Sequence, residues 1–220
     1  MNQPWINLNN YTLTQVILFL IGVIFWVWAY VAVVIGNNKR KTLEIPIAAV
    51  CLNFGWEIGA TFFFTDQIDM GKLFVVGYAT WLAVDCVIVY QMFKYGENQI
   101  SSPYLKKHIK PLMAVGVIGS ASAQSLFMVE GFDMPMAVVS AYIINLAMSI
   151  TYCGLVFNPD FRGLSKTVAW TKALGTEIIS ICFFLKYPDK YFLTVMYLLV
   201  FFFDALYIYW LYKLRADIKN

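Results

Sequence analysis

The sequence predicts an all-α membrane protein of seven transmembrane helices. Three observations carry this expectation. First, 60% of the 220 residues are hydrophobic, 18% are aromatic and only 13% are charged. A soluble domain lies near about 45–50% apolar and about 25% charged. Second, apolar runs of about 20 residues, long enough to cross a bilayer as helices, recur along the chain. Third, the segments between them are short. A water-soluble enzyme is disfavoured, and so is a disordered tail, which needs low hydrophobicity and high net charge. The formal charge of +3 is too small to suggest nucleic acid as a partner.

The spans fall at roughly 12–35, 45–65, 72–93, 111–129, 135–157, 166–186 and 190–213, in one domain of residues 1–220. Span one follows Met1–Tyr11, which has no Lys or Arg and no cleavage-like site, so it reads as a span rather than a leader. Only the segment 94–110 is long enough for a small surface feature. Lys and Arg are retained on the cytoplasmic side. One side carries Lys39, Arg40, Lys41, Lys94, Lys106, Lys107, Lys110, Arg162, Lys166, Lys213, Arg215 and Lys219, and the other only Lys72, Lys186 and Lys190. The N-terminus is therefore expected outside and the C-terminus in the cytoplasm. Lys172, inside span six, is expected to snorkel towards the cytoplasmic surface. Trp5, Tyr11, Tyr187 and Tyr191 read as interfacial belt residues.

Span two reads Glu57-Ile58 followed by Phe63-Phe64, and span six Glu177-Ile178 followed by Phe183-Phe184, an offset of 120 residues. Span three reads Tyr78, Asp85, Tyr90, Lys94 and span seven Tyr197, Asp204, Tyr209, Lys213, an offset of 119. This suggests a duplicated three-helix unit, about 12–93 and 135–213, with span four (111–129) as the linker. A single linking helix makes the two units parallel, related by an axis along the bilayer normal.

Four acids lie well inside spans: Glu57, Asp85, Glu177 and Asp204. Each is about 15–20 Å from a helix end at a rise of about 1.5 Å per residue. A charge at the bilayer centre costs at least about 2.5–3.5 kcal/mol, so these acids are expected to face the bundle interior. On span two, Asn53 precedes Glu57 by one turn and could orient its carboxyl, with Phe54 and Trp56 nearby. Tyr78 and Trp81 flank Asp85, Trp170 and Ser180 flank Glu177, and Phe201 and Tyr207 flank Asp204. Span five adds the polar stripe Tyr142, Asn145, Ser149 and Tyr152. The expected site is an apolar, aromatic-walled cavity with a few acids and amides pointing into it.

Several chemistries lack their residues. His108 is the only histidine, in the 94–110 segment, so no His cluster for metal or acid–base work is expected. Asp204 holds the place in span seven where a retinal protein needs a Lys. Asp66-Gln67-Ile68-Asp69 reads DxxD, but no second acidic cluster faces it, which argues against diphosphate–metal chemistry. Cys51, Cys86, Cys153 and Cys182 all fall in spans and read as buried apolar thiols rather than disulfides. No metal and no cofactor are expected.

Asn53-Phe54-Gly55-Trp56-Glu57 in span two and Phe203-Asp204-Ala205-Leu206-Tyr207 in span seven resemble the integral-membrane terpene cyclases of fungal meroterpenoid and indole-diterpene pathways and their bacterial relatives. Asn145-Leu146-Ala147-Met148-Ser149 and Trp170-Thr171-Lys172-Ala173-Leu174-Gly175-Thr176 also resemble segments of that family. The resemblance implies a polyprenyl substrate, often carrying an aromatic, indole or polyketide-derived head. It implies metal-free cyclisation begun by protonating an epoxide or alkene, with Glu57 and Asp204 as the acidic pair. It also implies a multi-pass protein of the endoplasmic reticulum in a fungus, or of the plasma membrane in a bacterium. Glu177 departs from the family pattern and receives no firm role. The physical chemistry agrees: protonating a hydrocarbon needs a well-placed acid, a cation needs a dry site, and aromatic faces attract it. Glu57 is expected to deliver the proton with Asp204 hydrogen-bonded beside it. The competing expectations are a small proton-coupled transporter of three-plus-one-plus-three design and a non-catalytic receptor or assembly factor. Oligomeric state is not legible.

Overall fold

The structure is a computed structural model that describes residues 3–158, 161 and 163–216; Arg162 and Lys219 of the charge count lie outside them. Seven α-helices follow one another: α1 Leu13–Arg40, α2 Ile47–Ile58, α3 Lys72–Tyr95, α4 Pro103–Val129, α5 Val138–Val156, α6 Lys166–Lys186 and α7 Tyr191–Ala216. No strand occurs among the described residues. All but α2 are long and apolar enough to cross a membrane, and the protein is a multi-pass integral membrane protein. The α2 segment reaches 17 residues only with the π-helical turn Gly59–Phe63 that continues it. That turn begins two residues after Glu57.

Local chemistry sets the helix ends. Thr12 and Gln15 form a reciprocal capping box at the start of α1: Thr12 Oγ1 accepts from the Gln15 N–H, and Gln15 Oε1 from the Thr12 N–H. The 94–110 segment is not the loop expected. Ser102 caps α4 and Pro103 occupies its first turn, so the helix starts well before the apolar run and His108 sits on it. Hydropathy registers only the apolar part of a helix, and the exposed Lys106, Lys107 and Lys110 hid this first part.

The helices pair. α1 lies along α6, α2 along α4 and α5 along α7, while α2 also touches α3 and α5. Glycines make two of these contacts close. A Cβ on Gly22 of α1 would stand 2.8 Å from the Gly175 carbonyl oxygen of α6. One on Gly55 of α2 would stand 2.6 Å from the Ser120 carbonyl carbon of α4. Two apolar clusters fill the interior: one around Phe19, Trp56, Tyr78 and Phe183, the other around Tyr30, Met92, Met113 and Tyr207. Large apolar side chains such as Ile17, Ile24, Trp28 and Ile35 of α1 point outward, as a lipid solvent permits.

Tyr11 is buried within the protein: its hydroxyl donates to Asp69 at 2.7 Å and the Lys186 ammonium lies over its ring. One minor expectation changes. Cys86 is exposed, whereas Cys51, Cys153 and Cys182 are buried.

Candidate active site

A cavity of about 90 Å³ opens between α1, α2, α3, α5 and α6. Helix α1 contributes Phe19, Trp26 and Tyr30; α2 contributes Asn53, Trp56 and Glu57; α3 contributes Tyr78 and Trp81. Tyr142 and Asn145 come from α5, Thr176 and Phe183 from α6, and Met136 from the turn before α5. Glu57 is 2% exposed, and its Oε2 has no hydrogen-bond partner. The walls are held by hydrogen bonds that keep the rings in place. Trp56 Nε1 donates to Ser140 Oγ at 2.9 Å, and Tyr78 Oη donates to the Met136 carbonyl at 2.9 Å. The Trp56 and Tyr78 ring centroids are 5.2 Å apart.

The carboxyl group near Glu57 is that of Asp85. Each lies close enough for its charge to act on the other. Asn53, one turn before Glu57, does not bond the Glu57 carboxyl; its amide donates at 2.7 Å both to Asp85 Oδ2 and to Tyr30 Oη. Asp85 thus has a donor, while one oxygen of Glu57 has none. A smaller space of about 20 Å³ lies beyond Tyr30 and Asn53, bordered by Asp85 and Lys172.

Such an arrangement is a buried acid at an aromatic-walled cavity. A family model of Pyr4-like transmembrane terpene cyclases matches residues 2–216. The chain belongs to this family. Among curated relatives, the terpene cyclase cdmG of Talaromyces verruculosus is 24% identical over 164 residues, covering 74% of this chain and 67% of the relative. The terpene cyclase andB of Emericella variicolor is 26% identical over 165 residues, 73% of this chain and 66% of that protein. The terpene cyclase pyr4 of Aspergillus fumigatus is 22% identical over 203 residues, 87% of this chain and 83% of that protein. No solved structure matches significantly. The chain is therefore a membrane terpene cyclase, and the transporter and receptor expectations fall away.

The other expected site residues of this Pyr4-like cyclase divide into three groups. Trp56, Trp81, Tyr142 and Asn145 join Glu57 and Asn53 at the cavity. Asp204 and Ser149 are buried but meet Lys172 instead. Lys172 Nζ donates to Asp204 Oδ1 at 2.6 Å, to Oδ2 at 2.8 Å and to Ser149 Oγ at 2.5 Å. No hydrogen bond or ion pair links Asp204 to Glu57, so the direct pairing expected is replaced by Glu57 beside Asp85. The reason is packing: α7 lies against α5 and α6 and contributes nothing to the cavity wall. Lys172, 2% exposed, does not snorkel; Asp204 holds it inside.

Phe54, Trp170, Glu177, Phe201 and Tyr207 are not on the cavity wall. Trp170 and Phe201 are exposed, Trp170 Nε1 donating to Tyr212 Oη at 3.2 Å. The buried stripe of α7 is Leu193, Met196, Tyr197, Val200, Asp204, Tyr207 and Leu211, a narrow seam that leaves Phe201 outside. Tyr207 packs on Tyr152, ring centroids 4.9 Å apart. Glu177 is half-buried with Oε1 unpartnered. Sequence reasoning missed α1 as a wall of the site. The signal present was Trp26 and Tyr30, one turn apart among the five aromatics of span one. It also missed Thr176 and Met136; for Met136, whose backbone φ is +65°, the sequence carries no signal.

Proposed function

We propose that the cavity cyclises a polyprenyl chain by protonation, and that Glu57 is the proton donor. The observation that carries this reading is the buried Glu57 oxygen, unpartnered in a wall of aromatic rings. The Glu57 proton passes to a terminal alkene carbon or epoxide oxygen, leaving a carboxylate and a substrate cation. Each double bond in turn supplies its electron pair to the cation, forming a carbon–carbon bond. Loss of one C–H proton ends the sequence. No metal enters, because the carboxylic acid is itself the proton source. Trp56, Tyr78 and Trp81 offer ring faces to the cation, and Phe19 and Phe183 help exclude water that would quench it. Asp204 enters this reading through Lys172: it neutralises and fixes the ammonium that borders the space behind Asn53 and Asp85. Sequence resemblance suggests a prenylated aromatic or indole compound as substrate.

The same reading has α2 cross the bilayer as a seventh, short span, with the N-terminus outside and the C-terminus in the cytoplasm. Seventeen residues are at the lower end of the spanning range of about 17–25. A duplicated three-helix unit is supported by one parallel: α2 holds the acid of α3 through Asn53, and α6 holds the acid of α7 through Lys172.

The test is Glu57→Gln. Co-expressed with a prenylated precursor, the variant inserts normally but loses cyclisation by about 10²–10⁴-fold. The product is read as a species of unchanged mass and altered chromatographic retention. Near-normal product formation would remove Glu57 from the mechanism.

A further inference from the structure

Hydrogen bonds join α5 to α6 as a ladder. At one rung Tyr142 Oη and Ser180 Oγ are 2.8 Å apart. At another Lys172 Nζ donates to Ser149 Oγ at 2.5 Å. Partners advance along α5 as they retreat along α6, so the helices run antiparallel here. Asn145 lies about one turn from both Tyr142 and Ser149, and Thr176 one turn from both Lys172 and Ser180. They lie at the level between the two, and no hydrogen bond joins them. Asn145 Oδ1 and Thr176 Oγ1 are buried without a partner, and both residues border the cavity.

The helices themselves do not satisfy these atoms. The hydroxyls of Ser149, Thr151, Thr171 and Ser180 each donate to the carbonyl four residues back. Thr176, only 2% exposed, makes no such bond. The Asn145 amide N–H donates to the Ala141 carbonyl at 3.2 Å, which leaves its oxygen as an acceptor. A buried polar atom left unpaired costs about 1–3 kcal/mol, and native structures retain few without a reason.

We propose that Asn145 and Thr176 form a hydroxyl-binding subsite of the cavity. One hydroxyl on the substrate donates to Asn145 Oδ1 and accepts from Thr176 Oγ1, joining the two. The inference rests on reading the cavity as the place of cyclisation. An ether has no hydrogen for Asn145, and an indole N–H has no lone pair for Thr176. A hydroxyl has both, so the substrate is a prenyl chain bearing a hydroxyl group, which a phenol supplies. A site built to hydrogen-bond a hydroxyl discriminates strongly against the analogue without it.

The experiment measures binding of a farnesylated phenol and of its methyl ether to the full-length protein in detergent, by quenching of tryptophan fluorescence. The Glu57→Gln background keeps the probes from being consumed. The phenol binds about tenfold more tightly than the ether. Asn145→Leu abolishes that preference, whereas Thr176→Val, which removes a donor that both probes can use, weakens phenol and ether alike; both replacements are close in shape to the originals. An unchanged circular dichroism spectrum in each variant reports an intact fold. Equal affinities in the parent, the result if only a water joins the two residues, overturn the subsite. So does a preference that survives Asn145→Leu. If Glu57→Gln prefers the phenol yet still cyclises it, the Glu57 assignment fails and the subsite stands.

Discussion

At the scale of single residues, Lys172 and Asp204 form an ion pair with both partners buried. Both residues are 2% exposed, so each charge relies on the other. Removing one partner of a buried pair costs about 3–5 kcal/mol, mostly because the survivor is left uncompensated. Asp204→Asn is therefore expected to lower thermal stability in detergent sharply. Lys172→Met combined with Asp204→Leu recovers much of the loss. A single Asp204→Asn variant as stable as the parent would show that the pair does not hold α6 to α7. Asp133, in the turn between α4 and α5, supplies a pH dependence. Burial pushes its carboxyl above the ordinary range, against hydrogen bonds from Ser140, Met134 and Val139 that pull it down. The folded state thus keeps this proton to higher pH than the unfolded chain. The stability this contributes is complete below the unfolded value near about 4 and is lost as pH rises through the folded value. Thermal unfolding across that window shows the decline in the parent, and Asp133→Asn flattens it. Glu57 and Asp204 were both legible as interior acids, since a mid-span carboxyl has few other places to go. Which acid faces which was not legible, because helical spacing gives a face but not the neighbour.

At the scale of elements, close approach decides which helices pair. Gly55 admits the α4 backbone, and any side chain there meets atoms of Ser120 and Ala121 within 2.7 Å. Backbone atoms cannot swing aside as a flexible side chain does. Gly55→Ala is accordingly expected to destabilise the protein by about 1–3 kcal/mol. Gly119→Ala, where a Cβ would meet nothing within 4 Å, serves as the control and is expected to change stability by no more than about 0.5 kcal/mol. Chemical denaturation of the two variants side by side checks this; equal stabilities would deny the tight α2–α4 contact. Helix existence was readable from apolar runs, and α6 matches its expected bounds. The first turns of α4 were not, because capping by Ser102 and Pro103 extends a helix into a polar stretch. The π-helical turn after Glu57 carries no hydropathy signal either, although such turns often occur at functional sites.

At the scale of the whole molecule, the charge asymmetry of the connecting segments makes a prediction about topology. Asp66, between α2 and α3, and Lys107, near the start of α4, are both exposed. Introduced cysteines at the two positions, in a background where Cys86 is replaced, are expected to react oppositely with a membrane-impermeant maleimide. Asp66→Cys is labelled in intact membranes, and Lys107→Cys only after they are opened. The reverse pattern would invert the protein. The site itself is a property of the assembled bundle, since five helices contribute walls and none of them forms a cavity alone.

The order of residues along the chain was enough to determine an apolar, helical membrane protein, an acid in each of four spans, and a kinship with terpene cyclases. These are local properties: hydropathy, periodicity and short motifs are written within one helix. Only tertiary structure decided that Asp85 rather than Asp204 stands by Glu57, that Lys172 lies inside, that α1 walls the cavity and that no hydrogen bond joins Asn145 to Thr176. Those facts depend on how helices rotate and slide against one another. That choice is set by glycine contacts, buried ion pairs and side-chain fit between segments far apart in sequence.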